Sequence, residues 1–398
     1  MFEKILSQQI HAGRLELYYP DGHHADFGAD GAAAIWRVND RAALARIAAD
    51  PEYELGATYV EGGWDSPDLA SLLILLMRNF RANRSQRLSW ARRALRAARQ
   101  MNRAVQARQQ IAHHYDLDEA LFRRFLDRDM HYSCAYFREP ELSLESAQQA
   151  KCAHLAAKLA LTPGMRVLDI GSGWGGLALY LARHHDVDVT GVTLSREQWR
   201  VSNDRARSLG LAHRVQFLYE DYREHQGNYD RVVSVGMFEH VGIPNYQTFF
   251  DQVRARLTPQ GVALLHHIGR PGPPGDTNPW IRRHIFPGGY NPALSEVSAP
   301  IERSGLWITD VEIWRLHYAQ TLREWGRRFQ AARSEIAAEK GEHFARMWEF
   351  YLAACEAAFA VGDLVIFQIQ LAASLATLPL TRDYVYETGP VAAVSRRA

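Results

Sequence analysis

From residue 166 onward, short apolar runs alternate with stretches whose apolar residues recur at every third or fourth position. RVLDIG (166–171), VDVTGV (187–192), VQFLYED (215–221), DRVVSVG (230–236) and GVALLHHIG (261–269) read as strands, each short and largely apolar. GLALYLARHH (176–185) and REQWRVSNDRARSLG (196–210) read as helices between them, the second closed by Gly210. Strands alternating with helices predict an α/β fold built on a doubly wound, mainly parallel sheet. ITDVEIWRL (308–316) and LVIFQIQLA (364–372) complete the sheet to seven strands, with a helical stretch from 319 to 360 between them. The Pro/Gly-rich loop RPGPPGDTNPW (270–280) directly follows a strand, a place where active-site lids often sit.

The first 77 residues carry a different pattern. LELYYP (15–20) and AAIWRV (33–38) read as short strands, and RAALARIAAD (41–50) as a helix that stops before Pro51. They predict a small α+β domain over 1–77, followed by a linker over 78–108 and a catalytic domain over 109–398. Within the linker, Leu88, Ala91, Leu95, Ala98, Met101 and Val105 mark one apolar stripe of a helix.

Composition and charge narrow the class. A chain of 398 residues has room for two or three domains, and 47% hydrophobic with 23% charged residues excludes a disordered chain. The longest strongly apolar run, Leu69–Met77, has nine residues, where a membrane span needs about 20. The opening MFEKILSQQIHAGR has no basic segment followed by an apolar one, so no secretory signal is expected. Three cysteines, Cys134, Cys152 and Cys355, make no disulfide framework and fit a reducing, cytoplasmic setting. Net charge is +1, yet residues 78–108 hold ten arginines and no acid, so the remainder carries −9. A basic segment on an acidic protein points to an anionic surface, membrane or nucleic acid, while a solvated linker helix is the blander reading.

Gly171-Ser-Gly173-Trp-Gly175-Gly176 lies between a strand and a helix and satisfies G-x-G-x-x-G. Missing side chains there let a cofactor lie against backbone at the strand's carboxyl end. A nicotinamide site wants an acid after the second strand, where this chain has Thr193-Leu194-Ser195. Asp169, inside the first strand, suits a cofactor bearing an amine and a sulfonium. The balance favours S-adenosylmethionine.

Five pieces occur in order: YSCAYF (132–137), VLDIGSGWGG (167–176), VTLSREQ (192–198), MFEHVG (237–242) and LLHHIG (264–269). Together they resemble the cyclopropane-fatty-acyl-phospholipid synthases and the related mycolic acid methyltransferases, over essentially all of 109–398 and, for the phospholipid enzymes, the small N-terminal domain. The resemblance implies the class I S-adenosylmethionine-dependent methyltransferase fold. It implies methyl transfer to a cis double bond in a phospholipid acyl chain, a carbocation, and ring closure after proton loss to an active-site bicarbonate. It also implies a peripheral enzyme at the inner face of the membrane and leaves oligomeric state open, a homodimer included.

The site residues follow from the same resemblance. Cys134, Glu239, His266, the backbone of Ile268, and Tyr318 match the bicarbonate contacts. Tyr132 and Ser133 match cofactor contacts, as do Gly171, Gly173, Thr193, Leu194 and Gln198, with Gln198 toward the ribose. Asp221 and Tyr222 are expected beside the adenine, although Tyr222-Arg223 stands where the family often has Trp-Glu. His267 reads as structural, because adjacent strand residues face opposite sides of the sheet. Cys355 matches a position once assigned a catalytic cysteine, but its alanine-rich helical setting reads as packing and the chemistry needs no covalent enzyme intermediate. No metal enters this reading. Three alternatives stay open: a methyl-branched or methylene product from the same fold, a lipid-binding protein without catalysis, and a nucleic-acid methyltransferase. The last lacks any recognition motif.

Overall fold

The computed structural model describes residues 2–29, 31–80 and 119–386. The N-terminal part holds a four-stranded sheet of β1 (Arg14–Tyr18), β2 (His24–Gly28), β3 (Ala33–Val38) and β4 (Trp64–Asp65), in the order β2-β1-β3-β4. β1 runs antiparallel to β2 and parallel to β3. Asp40 caps the helix Arg41–Ala49, its side chain accepting from Ala42 N at 2.9 Å, and Pro51 opens the next helix, Pro51–Val60. The apolar run that includes Leu69–Met77 lies in the helix Leu69–Phe80, which buries Leu69, Leu72, Leu73, Leu75 and Leu76. That helix runs through residue 77, where the sequence pattern placed a boundary. The rest of the arginine-rich segment, from 81 to 108, lies outside the described residues.

The larger sheet has seven strands: β5 (Arg166–Ile170), β6 (Asp188–Thr193), β7 (Val215–Tyr219), β8 (Tyr229–Val235), β9 (Leu257–Gly269), β10 (Trp307–Trp314) and β11 (Val365–Ala372). Their order is β10-β11-β9-β8-β5-β6-β7. β5 to β9 pair in parallel, and β11 lies antiparallel between β9 and β10. Every residue of β11 is buried, so Gln368 and Gln370 must find partners inside. Gln370 Nε2 donates to Lys158 O at 2.5 Å and to the Tyr384 hydroxyl at 2.7 Å.

The chain leaves β5 for β6 on one side, while β8 and β9 extend the sheet on the other. The carboxyl ends of these strands therefore border a crevice at the point where strand order reverses, the usual ligand position in such sheets. The helical stretch expected over 319–360 is two helices, His317–Lys340 and Glu342–Ala360, broken at Gly341, whose φ is +89°. They pack on each other; Glu342–Ala360 also packs on the N-terminal helices Pro51–Val60 and Leu69–Phe80, and His317–Lys340 on Glu119–Phe125. Gly56 allows a close approach at this seam: a Cβ there would come within 2.8 Å of Trp280 and 2.7 Å of Phe350. Arg346 ties the same seam, its Nε donating to Tyr59 O at 2.7 Å and its guanidinium lying 4.1 Å from the Tyr59 ring. One hydrophobic core runs from Leu6 to Ile366 and joins the two parts.

Candidate active site

A cavity opens at the carboxyl ends of β5, β6 and β8. The glycine turn forms its floor: Gly171 and Gly173 have φ of +81° and +54°, a region that disfavours side chains. Tyr132, Ser133, Asp169 and Tyr222 line the cavity as well. So do Thr193, Leu194 and Gln198 from the turn after β6. Ser195 caps the helix Arg196–Ser208 by accepting from Gln198 N, and Gln198 Oε1 accepts from Thr193 Oγ1 at 3.0 Å. Among the described residues the Gln198 amide nitrogen has no such partner, which leaves it for a ligand. Asp221 does not line the cavity. Its buried carboxylate accepts from Arg223 Nε at 2.9 Å and from a second Arg223 nitrogen at 2.6 Å, so it orders the adjoining turn instead. Tyr222 is packed edge-on against Phe249 at 5.5 Å.

A second group of residues lies beyond this cavity, around the end of β9. Glu239, in the short helical turn Phe238–His240 after β8, accepts from Ile268 N at 2.5 Å through Oε1. Its other oxygen, Oε2, is buried with no partner among the described residues. Burial pushes this carboxyl up to about 7, and the Ile268 N–H only partly offsets it. His266, two residues before Ile268 on β9, pairs across the sheet with Gln368. Gln368 Nε2 donates to His266 Nδ1 at 3.1 Å, which places the ring proton on Nε2. That Nε2 is buried and unpartnered among the described residues. Burial holds the imidazole well below its ordinary value, so it is neutral near pH 7. His267 faces the other side, its Nδ1 donating to Ile268 O at 2.9 Å and its ring packed against Phe238 and Phe367.

Tyr318, in the first turn of His317–Lys340, packs on Phe359 at 4.6 Å and Trp325 at 5.8 Å. It is close enough to Tyr132, Cys134, Cys355 and Glu239 to feel their charge, and burial raises its phenol well above 10. Cys134 is fully buried with its thiol directed at Ala135 O, 3.3 Å away, and burial raises its pKa far above the usual range. The Ala135 N–H beside it is engaged, donating to Thr321 Oγ1 at 3.0 Å. Cys355 is half-buried in Glu342–Ala360, and burial pushes its thiol up to about 12, so it stays protonated near pH 7. A hydroxyl pair, Tyr132 and Tyr351 at 2.6 Å, closes the aromatic wall formed with Phe122, Trp325 and Trp348.

Four residues that the sequence reading did not assign belong to these sites. Lys151, His131 and His240 line the cavity, and Gln368 orients His266. His131 is held on both sides, by Asp127 Oδ2 at 2.9 Å and Cys152 Sγ at 3.2 Å. Gln368 carried a signal, a polar residue inside an otherwise apolar strand. Lys151, in the middle of the helix Leu144–Lys158, carried none.

The profile of the mycolic acid cyclopropane synthetase family matches residues 102–369. The chain is 40% identical over 340 residues to the cyclopropane-fatty-acyl-phospholipid synthase of Escherichia coli K12, covering 85% of this chain and 87% of that protein. It is 36% identical over 371 residues to the tuberculostearic acid methyltransferase UfaA1 of Mycobacterium tuberculosis, covering 89% and 86%. Mycolic acid cyclopropane synthase CmaA1, solved with S-adenosylhomocysteine and CTAB, superposes with a TM-score of 0.63 at 32% identity, over 67% of this chain and 98% of that one. The fold is that of the class I S-adenosylmethionine-dependent methyltransferases, and the chain belongs to the mycolic acid cyclopropane synthetase family.

Proposed function

We propose that this methyltransferase converts cis double bonds of unsaturated phospholipid acyl chains into cyclopropane rings, with bicarbonate as the base. The activity class rests on the family and on the synthase relative. The bicarbonate reading rests on one observation: Glu239 Oε2, an acceptor, and His266 Nε2, a donor, are both buried and both unpartnered among the described residues, and Glu239 is held by the N–H of Ile268, two residues after His266 on β9. A hydrogen-carbonate ion, with one O–H and two further oxygens, satisfies an acceptor and a donor together. Cys134 and Tyr318 would complete its surroundings.

When bound, S-adenosylmethionine supplies the methyl group and bicarbonate accepts the proton lost from it. The chain's own residues prepare the rest. The Ile268 N–H fixes the Glu239 carboxylate, and a carboxylate in a water-poor site stabilises positive charge on the acyl chain. Gln368 sets the His266 tautomer so that Nε2 donates. Tyr132, Tyr318, Trp325 and Trp348 form a largely buried aromatic wall that would exclude water.

A methyl-branched or methylene product is the second reading, and the likeness to the tuberculostearic acid methyltransferase favours it. Incubation with vesicles of unsaturated phospholipid and labelled S-adenosylmethionine, followed by chromatography of the lipids against cyclopropane and methylene standards, separates the two. A cyclopropane product supports the first reading, and a methylene or methyl-branched product replaces it with the second. No described helix is long and apolar enough to cross a membrane, and the apolar substrate requires contact with a bilayer surface. The arginine-rich segment over 78–108 is the part whose charge suits anionic headgroups.

A further inference from the structure

Residues 127–137 form neither helix nor strand, yet they carry Tyr132 and Ser133 to the cofactor cavity and Cys134 toward Tyr318. Met130, within this stretch, has φ of +58°, in the left-handed region that a side chain disfavours. Ala160 and Asp186 share that region, and both close helices. Met130 closes none and lines the cavity. Such strain persists only where the surroundings over-determine it. Asp127 supplies those surroundings. Its carboxylate, 3% exposed, accepts from Asp129 N at 3.0 Å, from His131 N at 2.8 Å and from His131 Nδ1 at 2.9 Å, while its carbonyl accepts from Met130 N at 2.9 Å. Burial opposes its charge, but His131 and Lys151 outweigh burial and hold the carboxyl below its ordinary value, so it acts as an acceptor only.

Beyond Met130 the stretch is held between two helices. His131 Nε2 lies 3.2 Å from Cys152 Sγ on the helix Leu144–Lys158. Gln148, one turn earlier on that helix, donates from Nε2 to Ser133 O at 2.9 Å. On the other side Gly176 opens the helix Gly176–His185, and a Cβ there would lie 2.6 Å from Asp129 O and 2.8 Å from His131 Nε2. The last glycine of the G-x-G-x-x-G turn therefore makes room for this stretch. Asp127, Gln148 and Cys152 do not themselves line the cavity.

We propose that Asp127, with His131, is a positioning residue for both ends of the site: the turn it locks at Met130 sets the path of residues 132–134, and so the places of Tyr132 and Ser133 at the cofactor and of Cys134 at the ion. This rests on the S-adenosylmethionine and bicarbonate reading proposed above. No covalent step is involved. A role in stability alone would leave the ligand parameters of the folded protein untouched, whereas a positioning role moves them at both ends.

Asp127→Asn tests it, because the amide keeps the shape but turns one acceptor oxygen into a donor facing N–H groups. In the full-length protein, held below its melting transition, calorimetry should show S-adenosylhomocysteine bound about tenfold to a hundredfold more weakly, the worth of a hydrogen bond to a charged group. With unsaturated phospholipid vesicles as substrate, half-maximal turnover should need about tenfold more bicarbonate than the wild type, on the same scale. A variant that melts earlier yet keeps wild-type values for both ligands when folded overturns the proposal, and so does one that changes only one of them. If Asp127→Asn does not fold, His131→Phe fills the same space without either ring hydrogen bond. It carries the test through the bicarbonate requirement, since His131 itself lines the cofactor cavity, and an unchanged requirement overturns the proposal. A wild type that binds S-adenosylhomocysteine but needs no bicarbonate removes the bicarbonate reading instead. The proposal then falls for Cys134, and it stands or falls for Tyr132 and Ser133 on the cofactor affinity of Asp127→Asn.

Discussion

The two halves of the crevice are built by different means. The cofactor half, after β5 and β6, is made of glycine backbone and of side chains that bond to near neighbours in sequence, such as Thr193 to Gln198 and Ser195 to the helix it caps. The half proposed for the reaction, around the end of β9, is made of buried groups joined over long sequence distances: Glu239 to Ile268, Gln368 to His266, Thr321 to Ala135. The first half fits a ligand by leaving side chains out. The second holds polar atoms, Glu239 Oε2 and His266 Nε2, that are costly to bury unpartnered. Folding tolerates that cost where function requires it.

If the halves divide labour in this way, damage to one should spare the other. The largest effect is expected at Glu239. Glu239→Ala and His266→Ala should lower turnover by about 10²–10⁴-fold, the usual worth of general acid–base help, while S-adenosylhomocysteine affinity measured by calorimetry changes by less than about threefold. Loss of cofactor binding in step with turnover would merge the two halves.

The next effect concerns stability and pH. Glu239 has a folded value of about 7, above its ordinary 4.5. Its contribution is therefore fully present below about pH 4.5 and is lost as pH rises through about 7. Glu239→Gln stays neutral, so without bicarbonate it should gain up to about 3 kcal/mol over the wild type between pH 5 and pH 8, at ~1.4 kcal/mol per pKa unit. Thermal melts at the two pH values check this, and an unchanged difference would show that Glu239 is not a strained buried charge.

A smaller effect is expected in the cofactor half. Gly171 is a poor test there, because a Cβ would meet Met237 at 2.6 Å and disturb the fold. Gly173 is the better choice, since a Cβ there meets no protein atom within 4 Å and points to open space. Gly173→Ala should weaken S-adenosylhomocysteine about tenfold, for a left-handed backbone cost of about 1–2 kcal/mol in stability. Turnover at saturating cofactor should stay near normal. The smallest effect is expected at Cys355, whose thiol is held at about 12. Cys355→Ser should change turnover by less than about threefold, within the scatter of a mild packing change. A loss as large as that of Glu239→Ala would route the chemistry through this thiol.

The same contrast explains what was legible in the sequence. The strands β5 to β11 announce themselves as apolar runs, and the glycine turn as a local motif. β2 and β4 do not: HADFG buries Phe27 alone, and β4 is two residues long. The break at Gly341 was hidden because apolar periodicity resumes on both sides of it. Glu239 and His266 were assigned by family likeness alone, since nothing in their neighbourhood records the strand pairing that brings Ile268 and Gln368 to them. Asp221 was placed by position after a strand, but its own neighbour Arg223 takes its charge.

The most direct test of the division is a bicarbonate titration of turnover, in carbon-dioxide-free buffer with unsaturated phospholipid vesicles, for the wild type and Glu239→Ala. The account predicts that the depleted wild type is slow and recovers as bicarbonate is added, while Glu239→Ala recovers little at any concentration although it still binds S-adenosylhomocysteine. Near-normal turnover of both proteins without bicarbonate would contradict it.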